Sequence, residues 1–199
     1  LYNPMKIKHT LHILMLWCMI ASYVTPLSAQ AANFANDREA YAALEKMLWI
    51  PDIGKGDRVA YVFFSSSCGL CKQHYNETRR YRDIQLRWVP ISTLPPQAKP
   101  SRDEGFLAAK GDIRDIGRIW ENRIQSPPLE NRPLHKLAYL YNETSLQMFV
   151  QYLIRKKNQN IGTPSMVWLD TNGQLQIARG ALGVHKACLL YTSDAADDP

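Results

Sequence analysis

Arg58-Val59-Ala60-Tyr61-Val62-Phe63-Phe64 runs without a polar break into Ser65-Ser66-Ser67, and Cys68-Gly69-Leu70-Cys71 follows at once. Seven residues this rich in β-branched and aromatic side chains read as a strand buried on both faces. The three serines read as a turn, and Cys68 then opens a helix reaching to about Asp83. Ile84-Gln85-Leu86-Arg87-Trp88-Val89-Pro90-Ile91 follows as a second strand. A strand, a helix and a strand at this spacing make a β-α-β unit with parallel strands. The cysteine pair therefore sits where a buried strand passes into a helix N-terminus. Free backbone N–H groups and the helix dipole stabilise a thiolate at such a place. Cys68, nearest the turn, is expected to be exposed with a lowered pKa. Cys71 lies one turn deeper on the same face, positioned to resolve a mixed disulfide formed by Cys68.

The cysteine count sharpens this reading. The chain has 199 residues and four cysteines. Residues 5–31 read as a secretory signal peptide: Lys6 and Lys8 precede an apolar run from Ile13 to Val24, and Ala29-Gln30-Ala31 supplies a cleavage site. An uncleaved membrane anchor would look similar, but the apolar run is shorter than the ~20 residues that span a bilayer. Residues 187–199 show no element period and read as a non-native tail. Cys18 and Cys188 fall in these two segments, which leaves Cys68 and Cys71 as the one pair of an exported domain. A disulfide closing so short a loop gains little as a staple, so the pair reads as a redox centre.

Working outward, residues 32–57 read as an N-terminal helix and linker, the helix ending near Met47 and Pro51 breaking it. Residues 58–186 read as one domain, with a helical insertion over about 95–158. In the insertion Asp112 caps a helix carrying Ile113, Ile116, Trp120 and Ile124. Thr144 or Ser145 caps another bearing Leu146, Phe149, Val150, Leu153 and Ile154. Ser165 to Leu169 is a strand, Asp170-Thr171-Asn172-Gly173 a turn with an Asn-Gly hairpin signal, and Gln174 to Ala178 the returning strand.

Gly162-Thr163-Pro164-Ser165 gives the cysteine pair its context. In a thioredoxin fold a cis-proline opening this strand faces the Cys-x-x-Cys, and the residue before it offers backbone groups to a bound partner chain. Tyr61-Val62-Phe63-Phe64, Cys-x-x-Cys-Lys-Gln, Leu86-Arg87-Trp88-Val89-Pro90, Thr163-Pro164-Ser165 and Asn172-Gly173-Gln174-Leu175-Gln176 together resemble the bacterial periplasmic disulfide isomerases of DsbC and DsbG type. The resemblance spans roughly residues 59–183. It implies an α/β thioredoxin-like fold with an inserted helical subdomain and a periplasmic thiol–disulfide role. Cys68 and Cys71 carry over as catalytic residues, Thr163 and Pro164 as substrate-binding ones. Three departures stand against the family pattern. The N-terminal dimerisation domain is expected to be absent, which suits a monomer and puts isomerase activity in doubt. The Gly-Leu dipeptide lacks the usual aromatic. The closing helix of the fold is expected to be truncated.

Other classes fit less well. The formal net charge of +6 is spread over the chain, with no basic motif interleaved with aromatics, so nucleic acid is not expected as a partner. Expected partners are proteins bearing thiols or disulfides and a membrane redox protein, with no cofactor beyond the disulfide itself. Cys68, Cys71 and His74 form a C-x2-C-x2-H that could hold part of a copper or zinc site. No further ligands at structural-zinc spacing exist, so no metal is expected. The alternative is a copper-handling or purely partner-binding protein of the same fold. His135 and His185 suit surface or packing roles, and Asn76 and Asn142 match a glycosylation pattern that has no meaning in a bacterial host. No buried acid that could relay protons to Cys71 is evident.

Overall fold

The structure, a computed structural model, describes residues 34–180 apart from 53, 55, 80 and 81. The signal peptide read at 5–31, the truncation expected of the closing helix and the tail read at 187–199 lie outside the described residues. None of the described helices is long and apolar enough to cross a membrane.

Five strands form one sheet: β1 (Ile50–Pro51), β2 (Arg58–Phe64), β3 (Ile84–Pro90), β4 (Ser165–Leu169) and β5 (Leu175–Arg179), in the order β1-β3-β2-β4-β5. β2 and β3 are parallel, and the other three pairings are antiparallel. This is an α/β fold of thioredoxin-like type, with β4 and β5 as the hairpin that follows the β-α-β unit. The helices are α1 (Asp37–Leu44), α2 (Gly69–Thr78), α3 (Lys99–Lys110), α4 (Ile113–Trp120) and α5 (Pro133–Lys157). α3, α4 and α5 lie between β3 and β4 in the chain.

β2 explains the layering. Its side chains alternate, so Ala60, Val62 and Phe64 face one core with residues of α2, α3 and α4, among them Cys71, Leu107 and Ile116. Tyr61 and Phe63 face a second core with Leu44 of α1 and Phe149 and Leu153 of α5. Both faces are covered, which is why the strand reads as one unbroken apolar run.

Several elements depart from the sequence reading. α1 stops at Leu44 rather than near Met47, while at its start the side chain of Asn36 accepts the N–H of Glu39 at 3.0 Å. Pro51 does not merely end that helix. It closes a two-residue edge strand on β3, a position that tolerates a missing N–H. α2 stops at Thr78 rather than near Asp83. α4 keeps its Asp112 cap, with Asp115 completing a capping box, but Ile124 falls beyond its end.

The largest difference is α5, whose 25 residues run unbroken through Thr144 and Ser145 from Pro133 at its first position. Proline is preorganised for a helix start, and a hidden stripe of His135, Ala138, Tyr139 and Asn142 carries the first half. α5 spans about 37 Å. Its first half packs on α3 and its second half on the sheet. At the α3 crossing a Cβ on Gly105 would sit 2.6 Å from the His135 carbonyl oxygen, so glycine is required there. The hairpin between β4 and β5 is organised by Asp170, whose Oδ1 accepts the N–H groups of Asn172 and Gln174 at 2.9 Å each. Gly173 takes the left-handed conformation there.

Candidate active site

Antiparallel pairing of β2 with β4 matches Phe63 to Ser165. The end of β2 and the start of β4 are thereby neighbours, and the segments just outside them must meet. Those segments are Ser65 to Cys68 and Thr163-Pro164. Parallel β3 ends at the same edge, where the N–H of Ile91 donates to the Phe64 carbonyl at 2.9 Å.

Cys68 is the N-cap of α2, with extended backbone, and its Sγ accepts the N–H of Cys71 at 3.2 Å. Its own N–H donates to the Ser65 carbonyl at 3.1 Å, which closes the serine turn. Cys68 is half-buried, Cys71 fully buried, and the two form a disulfide with their Cα atoms 5.2 Å apart. Gly69 and Leu70 project outward between them, Leu70 exposed and uncharged.

The Thr163–Pro164 peptide bond is cis. The Thr163 carbonyl oxygen lies 3.3 Å from Cys68 Sγ, so all four residues singled out in the sequence come together. Pro164 is buried and its carbonyl accepts the N–H of Gly180 at 2.8 Å. A groove of about 910 Å³ opens beside Thr163, lined in part by Ile91, Leu94, Tyr139, Leu146 and Ile161.

His74 turns into the core, its ring 5.6 Å from that of Trp88. Among the described residues no three His, Cys, Asp or Glu side chains are grouped to hold a metal ion. His135 is buried against Phe106, and burial pushes its pKa down.

One group that sequence reasoning missed adjoins the pair. Glu104, on α3, is fully buried, and its Oε1 accepts the Ser66 N–H at 2.6 Å and the Ser65 hydroxyl at 3.0 Å. Burial pushes its carboxyl up to about 8, against the lowering effect of these hydrogen bonds. Nothing in Ser101-Arg102-Asp103-Glu104-Gly105 marks that side chain as interior. Its place follows from the docking of α3 on the serine turn, a contact between residues 38 positions apart.

A Cys-x-x-Cys disulfide capping a helix beside a cis-proline loop, on a thioredoxin-like sheet, is the arrangement the sequence reading expects of the thiol–disulfide interchange class. The comparisons agree with that class. Over 151 residues the chain is 28% identical to the thiol:disulfide interchange protein DsbG of Escherichia coli strain K12, covering 72% of this chain and 56% of that protein. The chain thus spans little more than half the length of that curated relative. A linker-deletion variant of ScsC from Proteus mirabilis superposes with a TM-score of 0.51 at 17% identity, covering 99% of this chain and 98% of that one. ScsC in a compact conformation gives 0.50 at 15% identity, with 96% and 97% covered. No protein-family model matches the chain. These likenesses support the DsbC/DsbG-type resemblance, with the ScsC structures bearing on the fold.

Proposed function

We propose that the chain is a periplasmic thiol–disulfide oxidoreductase that exchanges disulfides with partner proteins through Cys68 and Cys71. The observation that carries this reading is Cys68 Sγ at the start of α2, 3.3 Å from the Thr163 carbonyl, with Cys71 buried beneath it.

In the reduced pair, the helix N-terminus favours Cys68 as thiolate. The thiolate attacks one sulfur of a partner disulfide, forming a mixed disulfide and releasing the other partner sulfur as a thiolate. Cys71, on losing its proton, then attacks Cys68 Sγ. The Cys68–Cys71 bond forms, the second partner sulfur leaves, and two electrons have passed to the partner. Run backwards, the same steps oxidise a partner dithiol. Thr163 presents its backbone to the bound chain, and Pro164, which has no N–H, leaves that strand free to approach Cys68. The groove beside Thr163 extends the surface available to the partner. In this reading the domain over 58–186 acts as a monomer after export by the signal at 5–31, and a membrane redox protein resets the pair.

Single substitutions test the order of events. Cys71→Ser should accumulate mixed disulfides with periplasmic proteins, seen as thiol-sensitive bands on non-reducing gels. Cys68→Ser should accumulate none and lose insulin disulfide reduction. Full turnover by Cys68→Ser would refute the assignment.

A further inference from the structure

Glu104 links a buried proton site to the turn that carries Cys68. One oxygen, Oε1, takes both hydrogen bonds from Ser65 and Ser66. The other, Oε2, is buried and makes no hydrogen bond among the described residues. Ser65 Oγ is also 3.0 Å from Ser67 Oγ, and Ser67 is exposed. A chain of hydroxyls thus runs from the buried carboxyl to the surface at the residue before Cys68.

We propose that Glu104 is a positioning residue for the Cys68–Cys71 pair: it fixes the Ser65–Cys68 turn through Oε1, and the proton on Oε2 decides how readily Cys68 can be held as a thiolate. The inference rests on the proposed thiol–disulfide function and extends it.

The coupling is one of like charges. A carboxylate with one oxygen unpaired in the interior is costly, so the acid is held neutral, and burial raises its pKa accordingly. Among the described residues, the groups that bear most on its charge include no cation. Asp103 lies on its own helix, tied to Lys99 at 2.7 Å and Ser126 at 2.5 Å, and its charge raises Glu104 further. Across from it on α5 stands Tyr139, with Glu143 one turn on, accepting the Ser92 N–H at 2.7 Å. The serine turn contributes only hydroxyls and N–H groups. When Cys68, two residues along the turn from the Ser66 N–H that Glu104 holds, becomes a thiolate, it opposes ionisation of Glu104. At an effective dielectric constant of about 20, like charges ~10 Å apart oppose each other by on the order of one pKa unit. By linkage, an ionised Glu104 disfavours the reduced, thiolate form of the pair by the same factor.

The test is the equilibrium constant for reduction by dithiothreitol, measured from pH 6 to 10 for the wild-type chain and Glu104→Gln. Glutamine keeps an acceptor oxygen and stays neutral. The ratio of wild-type to variant constants should be flat below pH 7 and fall by about tenfold by pH 10. A ratio constant within twofold across the range would overturn the proposal. Should the variant fail to fold, the ¹³C carboxyl shift of Glu104 in the wild-type chain serves instead. Its midpoint should lie higher in the reduced than in the oxidised protein, and equal midpoints would overturn the proposal. Neither measurement needs a partner protein. A chain that passes them yet traps no partner as Cys71→Ser refutes the proposed function alone, and one that traps partners with a flat ratio refutes this inference alone.

Discussion

Glu104 also sets how stability depends on pH. Its pKa in the folded chain is raised to about 8, while in an unfolded chain it titrates near 4.5. Between those values the folded state holds a proton that the unfolded state has lost. The stability from this group is therefore full below pH 4.5, declines as pH rises, and is lost by about pH 8. Each unit of separation corresponds to about 1.4 kcal/mol. Wild-type protein should lose about 8–15 °C more in Tm between pH 5 and pH 9 than Glu104→Gln does, by differential scanning calorimetry. Parallel Tm curves for the two proteins would mean that Glu104 ionises freely in the fold. Asp37 works in the opposite direction. Burial raises its pKa, but hydrogen bonds from Lys157, Tyr152 and the Leu175 N–H lower it more, so its contribution is present at neutral pH and lost in acid.

At the scale of elements, a buried amide helps to pin α5 to the N-terminal part of the fold. Asn142 is fully buried; its Oδ1 accepts the Leu48 N–H at 2.9 Å, and its Nδ2 donates to the carbonyls of Leu48 at 2.9 Å and Pro90 at 3.2 Å. These bonds join the helix to the chain entering β1 and to the end of β3. An unpaired buried backbone group costs about 1–3 kcal/mol. Asn142→Ala should therefore lower unfolding free energy by about 2–4 kcal/mol in urea titration, and a loss under ~0.5 kcal/mol would show that water replaces the amide. In the sequence Asn142 stood out only as part of Asn142-Glu143-Thr144, a surface pattern, although its side chain is interior. The legible elements were those whose signal is local. The apolar run of β2, the capped helix at Asp112, the Cys-x-x-Cys at a helix start and the Thr-Pro before β4 each carry their cause within a few residues. The first half of α5, the edge strand at Ile50–Pro51 and the burial of Glu104 were not legible. They are made by polar or proline residues whose partners lie 30 to 95 positions away.

For the whole molecule, the decisive relation is that β2 neighbours both β3 and β4, with the two cores closing the sheet from either side. That order places the ends of β2 and β3 and the start of β4 at one edge, so the site is a property of the topology as much as of its four residues. If the site exists for exchange, Cys68–Cys71 must be a couple that equilibrates with biological thiols; if it were a structural disulfide it would resist them. Titration of the purified chain against glutathione or dithiothreitol buffers, followed by thiol alkylation and mass, measures this directly. One reversible two-electron transition is expected between about −270 and −120 mV, the range of thioredoxin-fold exchange proteins, and it should disappear in Cys68→Ser. A pair that stays oxidised below about −300 mV, as structural disulfides do, would contradict it.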